Sequence, residues 1–381
     1  MRKVTLFLLL LIYSNLYSQN LRTLNKDIVD ENDNEVILRS AGLGGWMLQE
    51  PYMFNYSSGA NTQHEFKEKL DNLVGSENTE LFFESWLDNF VTEQDVDSIA
   101  SWGFNSIRLP MHYDLFTLSI QDEPVEGENT WLDRGFEIVD QLLDWCEQNE
   151  LYLILDLHAA PGGQGYDAAI SDYNSDFPSL WESVENQNKT IALWEQLAIR
   201  YKDEPWIGGY DLLNETNWDL GTNELRSFYY QVTTKIREHD SNHIIFIEGN
   251  WFANDFTGLI PPWDDNMVYS FHKYWSYNNT ESIQWVLDIR NQYNTPLWMG
   301  ESGENSNLWF TDAIRLFEDN EIGWAWWPWK KTESINSTLS ISSNSNFQSI
   351  INYFADGQNQ PSIENAMLGL MQFSNDSRIE N

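Results

Sequence analysis

The 381-residue chain has one cysteine, six histidines, and 21 lysines and arginines against 59 aspartates and glutamates. One cysteine excludes an intramolecular disulfide and any cysteine-rich metal site. Cys146 sits in FEIVDQLLDWCEQN, whose apolar residues recur at helical spacing, so a packed thiol is expected rather than a nucleophile. The histidines form no H-x-H ligand pair, and neither a metal nor an organic cofactor is expected. The shortage of basic residues leaves a net charge of −38. Such a surface repels nucleic acid and anionic lipid and favours neutral or cationic partners. The acidic residues are dispersed, as solubility or adaptation to salt would have them.

Long hydrophobic runs are also missing. Val4 to Tyr13 is apolar but too short to span a bilayer comfortably. Arg2 and Lys3 precede it and a polar SNLYSQN follows, the pattern of a secretory leader cleaved near Ser18. Residues 1–18 are therefore read as a leader and 19–381 as one catalytic domain, secreted or periplasmic, and expected to be a monomer. No cysteine follows the apolar stretch to carry a lipid, so no membrane anchor is expected.

Repeats, linkers and low-complexity segments are absent, whereas aromatics are plentiful: 19 Trp, 17 Tyr and 20 Phe. Most must pack the core, but flat apolar rings also suit the C–H face of a sugar. Apolar runs recur at 36–46, 104–110, 151–158, 207–215, 244–250, 267–274, 296–302 and 323–329. Helical patterns such as KTIALWEQLAIRY and TESIQWVLDIRNQY separate them. Strands buried on both faces and alternating with helices predict a (β/α)8 TIM barrel. A doubly wound open sheet is the alternative, but GLGGW lacks the helix start its phosphate loop needs. Two insertions, 47–91 and 159–187, fall after the first and third runs, where barrel loops serve function. Residues 335–347 read as an exposed polar loop.

Distinctive polar residues mark the run ends: Arg108, His158, Asn214, Glu215, His272, Tyr274, Glu301 and Trp327. In a barrel these converge at the C-terminal mouth, where polar residues read as catalytic. Two carboxylates facing one cleft are what acetal hydrolysis requires. Glu301 would attack, held ionised by Arg108 and accepting from Tyr274. Glu215 would be the acid/base, and Asn214 would donate to the sugar 2-hydroxyl. His158 and His272 would bind hydroxyls or fix the carboxylates, and Trp327 would floor the sugar site. His112 is expected to be packed. Glu248 either lines a neighbouring subsite or pairs with a basic residue. Glu304 is offset from Glu301 and suits attack poorly. Asp167, Asp172 and Asp176 could bind sugar hydroxyls or a calcium ion.

As a set these residues resemble glycoside hydrolase family 5, the retaining barrel enzymes that include cellulases, mannanases and exo-β-1,3-glucanases. The likeness runs from Leu38 to Lys331. It implies retention, a neutral polysaccharide or oligosaccharide substrate, and no cofactor. GLGGWMLQEPYMF, DLHAAPGGQ and WPWKKTES resemble the exo-β-1,3-glucanase members, in which the residue matching Glu50 closes a pocket around the terminal glucose. Otherwise Glu50 would be a rim salt bridge. Gly165 stands where that group has Asn, and Thr216 where Pro commonly follows the Glu. A β-glucan is therefore expected, β-1,3 slightly ahead of β-1,4. An endo-acting cellulase or mannanase, a transglycosylase and a non-catalytic carbohydrate-binding barrel are the alternatives.

Overall fold

The computed structural model describes residues 20–379, so the expected leader lies outside the described residues. Eight strands close into a barrel. They are β1 (Arg39–Gly42), β2 (Ser106–His112), β3 (Tyr152–Ala159) and β4 (Ile207–Asp211). Then follow β5 (Ile244–Glu248), β6 (Met267–His272), β7 (Leu297–Gly303) and β8 (Gly323–Trp327). Every neighbouring pair is parallel, and β8 pairs with β1 to close the ring. This is the (β/α)8 barrel that the alternating runs predict.

The strands are buried on both faces, which is why they read as continuous apolar runs. Inside the barrel, Leu38, Ile154, Phe246, Val268 and Trp298 form an apolar floor. Leu21 and Ile28 of an N-terminal hairpin, Arg22–Leu24 paired with Asp27–Val29, join that floor. Above it the interior turns polar, with Arg108, Asp156, Asp211 and Glu248 all fully buried.

The outer helices start where short polar side chains cap them. Ser183, Asn279 and Ser306 each accept the main-chain N–H three residues on, and Thr92 forms a capping box with Asp95. The fifth unit lacks a full helix. Between β5 and β6 only Asn250–Ala253 makes a turn, with Trp251 and Phe252 in left-handed backbone. Phe256 packs on Tyr269 and Trp285 there, covering the barrel where a helix would lie.

The 47–91 insertion forms two helices, Gln63–Val74 and Ser76–Phe90. They pack on the C-terminal helices Ser345–Asp356 and Ile363–Asn375 through aromatic rings: Trp86 stacks on Phe373, and Phe66 meets Phe347 edge-on. Residues 335–347 are not simply a loop: Leu339–Ile341 pairs with Lys330–Thr332, and Asn344 caps the helix that starts at Ser345. Cys146 is buried in the helix Asp133–Gln148, and burial pushes its thiol pKa up, as expected of a packed thiol. Among the described residues no helix is long and apolar enough to cross a membrane.

Candidate active site

A cavity of about 750 Å³ opens at the C-terminal mouth, lined among others by Glu50, His158, Glu215, His272, Tyr274, Glu301 and Trp327. Arg108 and Asn214 lie beneath it and are fully buried.

Arg108 does not end its strand; it sits near the start of β2 and sends its guanidinium up the interior. Nη1 donates to Glu301 Oε2 at 2.8 Å, and Nη2 to Asn214 Oδ1 and Glu248 Oε1, both at 2.9 Å. Asp211 and Asp156 lie 3.1 and 3.2 Å away. A planar five-donor fork can serve this many acceptors, whereas an ammonium cannot.

Glu301 reaches the interior by a bulge in β7. Trp298 pairs with Ser270 and Met299 with Phe271, but His272 pairs with Glu301, so Gly300 is skipped. Without that slip Glu301 would point outwards. A Cβ on Gly300 would meet Ser270 Oγ at 2.2 Å, so glycine is required for the strands to approach there. Tyr274 donates its hydroxyl to Glu301 Oε1 at 2.6 Å. Burial pushes the Tyr274 phenol well above its usual range, with Glu301 adding to it, so it stays a donor. Burial also raises the Glu301 pKa, and the Glu215 charge adds; His272 and Arg108 pull the other way without reversing it. Arg108 thus pairs with Glu301 and favours its charged form, while desolvation is the larger influence on it.

Asn214 and Glu215 lie beyond the end of β4, in the following loop. Glu215 takes φ +39°, a left-handed conformation rare outside glycine. Its Oε1 lies 2.6 Å from His272 Nδ1. Burial alone would discharge His272, but the carboxylates of Glu248, Glu301 and Glu215 hold its pKa well above the usual histidine range. One oxygen each of Glu215 and Glu301 and a ring nitrogen of His272 lie within 4.8 Å of one another.

His158 stacks on Trp327, ring centroids 5.3 Å apart, and its Nδ1 meets Asp156 at 2.8 Å. Burial opposes its charge, but Asp156 and Glu50 outweigh that and raise its pKa to about 10. Glu50 is buried in the cavity wall, 3.4 Å from His158, rather than paired at the rim. Burial lifts its carboxyl to about 7.

Two carboxylate groupings have the spacing of metal ligands: Glu215–His272–Glu301 and Asp156–Asp211–Glu248. In the second, the Arg108 guanidinium already supplies the counter-charge. In the first, His272 Nδ1 meets Glu215, and Nε2 lies 3.1 Å from Glu248 as an ion pair outside hydrogen-bond geometry.

Of the three loop aspartates, Asp172 is buried between His64 and His112, at 2.9 and 3.0 Å, and is turned away from sugar or calcium. Asp167 lines the cavity, whereas Asp176 is exposed in a turn. His112, also 2.8 Å from Asp114, is packed into this network. Glu304 lines the cavity too, held by Lys331 and by Tyr52 at 3.3 Å.

Several residues had no signal in the sequence. Tyr52 takes the Trp327 indole N–H at 3.0 Å. Gln164 donates to the carbonyls of His158 and Asn214, at 2.7 and 2.8 Å, and so ties two site-bearing loops together. Asn217 explains Gly165: a Cβ on Gly165 would lie 2.0 Å from Asn217 Oδ1. The space of the missing Asn side chain is taken by the neighbouring loop.

Comparison with known proteins agrees with this geometry. Residues 60–333 match the profile of cellulase, glycosyl hydrolase family 5. The chain is 39% identical over 249 residues to a beta-xylosidase of Phanerodontia chrysosporium, covering 65% of this chain and 50% of that one. It is 27% identical over 258 residues to a probable glucan 1,3-beta-glucosidase A of Aspergillus clavatus, covering 65% and 58%. The matches thus span about half the length of these relatives. The fold superposes on the catalytic domain of Thermobifida fusca endoglucanase Cel5A with a TM-score of 0.54 at 15% identity, covering 93% of this chain and 97% of that one. The chain belongs to glycosyl hydrolase family 5.

Proposed function

We propose that the protein is a secreted, retaining β-glycosidase acting on a neutral β-glucan, β-1,3 slightly ahead of β-1,4, with Glu301 as nucleophile and Glu215 as acid/base. The observation that carries this is the approach of the Glu215 and Glu301 oxygens to within 4.8 Å across a cavity. Retaining enzymes hold their carboxyl groups about 5–5.5 Å apart, and inverting ones about 6.5–9.5 Å, to admit a water between.

In the first step the Glu215 carboxyl gives its proton to the glycosidic oxygen while Glu301 attacks the anomeric carbon. The C–O bond to the leaving sugar breaks and a glycosyl–Glu301 ester forms. His272 holds Glu215 Oε1 and leaves the other oxygen for the leaving group. In the second step Glu215 takes a proton from water, which attacks the same carbon and releases Glu301. Arg108 and Tyr274, each on one oxygen of Glu301, aim it and receive its charge when the ester breaks. Asn214, its carbonyl fixed by Arg108, offers its amide to the 2-hydroxyl. Trp327 is the floor of the sugar site, with His158 behind it. Glu50 stands where it can close the pocket on a terminal sugar.

The test is product analysis on β-1,3-, β-1,4-, β-1,6- and mixed-linkage glucans and mannan, with Glu301→Gln as the blank. Glucose as the sole early product supports a pocket and exo attack; a ladder of oligosaccharides supports an open cleft. No release from any β-glucan sinks the glucan reading. A second reading, a xyloside substrate, is favoured by the 39% identity to a beta-xylosidase, and an aryl β-xyloside in the same panel tests it. The leader is tested by N-terminal sequencing of exported protein, with cleavage expected near Ser18.

A further inference from the structure

Glu248 closes β5, is fully buried and does not line the cavity, so nothing above gives it a part in the reaction. It nevertheless grips Glu215 twice. Its Oε2 accepts the main-chain N–H of Glu215 at 2.7 Å. Its Oε1 lies 3.1 Å from His272 Nε2, an ion pair without hydrogen-bond geometry, and the opposite nitrogen of that ring meets the Glu215 carboxyl at 2.6 Å. Arg108 Nη2 anchors the same Oε1 from below.

A grip is needed here. The chain leaves β4 at Asp211 and is turned into a left-handed conformation at Glu215. For a residue with a side chain that conformation is strained and persists only when its surroundings enforce it. A hydrogen bond to a buried ionised carboxylate is among the stronger ways to enforce it. Desolvation works against that charge, but His272, Arg108 and the Glu215 N–H outweigh it and bring the Glu248 pKa to about 2. The neighbouring Asp211 is pushed the other way, mainly by burial and then by the Glu248 charge, so the two titrate as a pair in which Glu248 holds the charge. The Glu248 charge also does most to offset the burial of His272, and so keeps that ring cationic opposite the Glu215 carboxyl.

We propose that Glu248 is the positioning residue of the acid/base: it fixes the backbone of Glu215 directly and the Glu215 carboxyl through His272. This rests on the reading of Glu215 as acid/base, and the test separates the two. A residue that serves only to neutralise Arg108 would slow all substrates alike. A residue that positions the proton donor matters most where the leaving group needs the proton.

Glu248→Gln keeps the shape but has one acceptor oxygen, so it cannot take the Glu215 N–H and face His272 and Arg108 together. Kinetics are measured on 4-methylphenyl and 2,4-dinitrophenyl β-D-glucosides, or the β-D-xylosides if the wild type prefers xylose. General acid–base assistance contributes about 10²–10⁴-fold. Glu248→Gln is therefore expected to lower kcat/KM about 100-fold on the poor leaving group and less than about threefold on the good one. With the dinitrophenyl substrate, azide should raise kcat, because it attacks the glycosyl–enzyme without a general base. Glu215→Gln, run alongside, should show the same pattern more strongly. If Glu215→Gln loses activity equally on both leaving groups, the acid/base reading fails and takes the proposal with it. If Glu215→Gln is selective and Glu248→Gln is not, the positioning role alone is overturned. Should Glu248→Gln not fold, Glu248→Asp keeps the charge for Arg108 but withdraws it from the Glu215 N–H. The same selective loss is then expected, and an equal loss on both substrates counts against the proposal.

Discussion

Around one guanidinium the barrel gathers Asp156, Asp211, Glu248 and Glu301, each within 3.2 Å of Arg108. Crowding of this kind sets the protonation of the site. As the proposed nucleophile Glu301 has to be ionised, yet burial and the Glu215 charge raise its pKa above the ordinary carboxylate value. The sign follows directly: activity is lost as pH falls through the raised pKa, because the folded enzyme takes up the proton earlier than a free glutamate would. The acidic limb of kcat/KM is therefore expected above about 4.3, the unperturbed glutamate value. A limb at or below about 4 would mean that Arg108 and His272 overcome desolvation, contrary to this reading. The residue types themselves were legible in the sequence, since an amide, two histidines, two glutamates and an arginine at strand ends are hard to assign to packing. Their charge balance was legible only in part: Glu248 could be read as the partner of a basic residue, but Asp156 lies inside an apolar run and only the closed barrel brings both to Arg108.

At the scale of elements, what the sequence conceals is local slippage. The eight strands were readable because burial on both faces makes each a continuous apolar run. That same continuity hides which face each residue takes, so the bulge at Gly300 had no signal in LWMGESG. Gly300→Ala tests it. Its Cβ would sit 2.2 Å from Ser270 Oγ and 3.3 Å from His272 Nε2, so β7 must shift at the residue that presents Glu301. A misplacement of about 1 Å costs on the order of 10²-fold in rate. A loss of kcat of that order, with the protein still folded by circular dichroism, is expected; activity within about twofold would show that the bulge does not aim Glu301. The missing fifth helix was equally hidden, because counting apolar runs says nothing about what covers them.

The loop 159–187 supplies a second element-scale prediction. Asp172 in that loop is clamped between His64 and His112, and His112 also meets Asp114. Burial opposes charge on His112, but the two aspartates raise its pKa from 6.5 to about 9. A base with a raised folded pKa stabilises the fold fully below its unfolded value and loses that contribution as pH rises through the folded one. The window is therefore between about 6.5 and 9, and the contribution is on the order of 3 kcal/mol at about 1.4 kcal/mol per unit. The unfolding midpoint is expected to fall across that window, and the loop to become cleavable by protease in step. His112→Gln should be destabilised already at pH 6.5, leaving Asp114 and Asp172 without their partner, and its fall with pH should be shallower but not absent, because His158 and His272 still contribute to it. A midpoint that stays flat to pH 9.5 in the wild type would count against the clamp.

Over the whole molecule the governing number is the net charge of −38 on 381 residues. Only a few of those charges are inside the barrel, so most of the excess lies on the surface and repels itself. Salt at about 0.15 M already screens beyond about 8 Å, and at 1 M beyond about 3 Å. Raising salt should therefore stabilise the fold, with a rising unfolding midpoint. The same field reaches the mouth, although there Lys331 and the charged His158 and His272 offset much of the acid of Glu50, Asp167, Glu215, Glu301 and Glu304. A neutral glucan meets no penalty on approach, but a carboxymethylated glucan of the same linkage does. The expected outcome is a kcat/KM that rises with salt on the carboxymethylated substrate and stays level on the neutral one, so that their ratio closes as the Debye length shrinks. Parallel salt dependence on both would locate the effect in the enzyme's stability or its catalytic groups. A divergence confined to the charged substrate would show that the acid surface, dispersed as it is, selects what reaches the two glutamates.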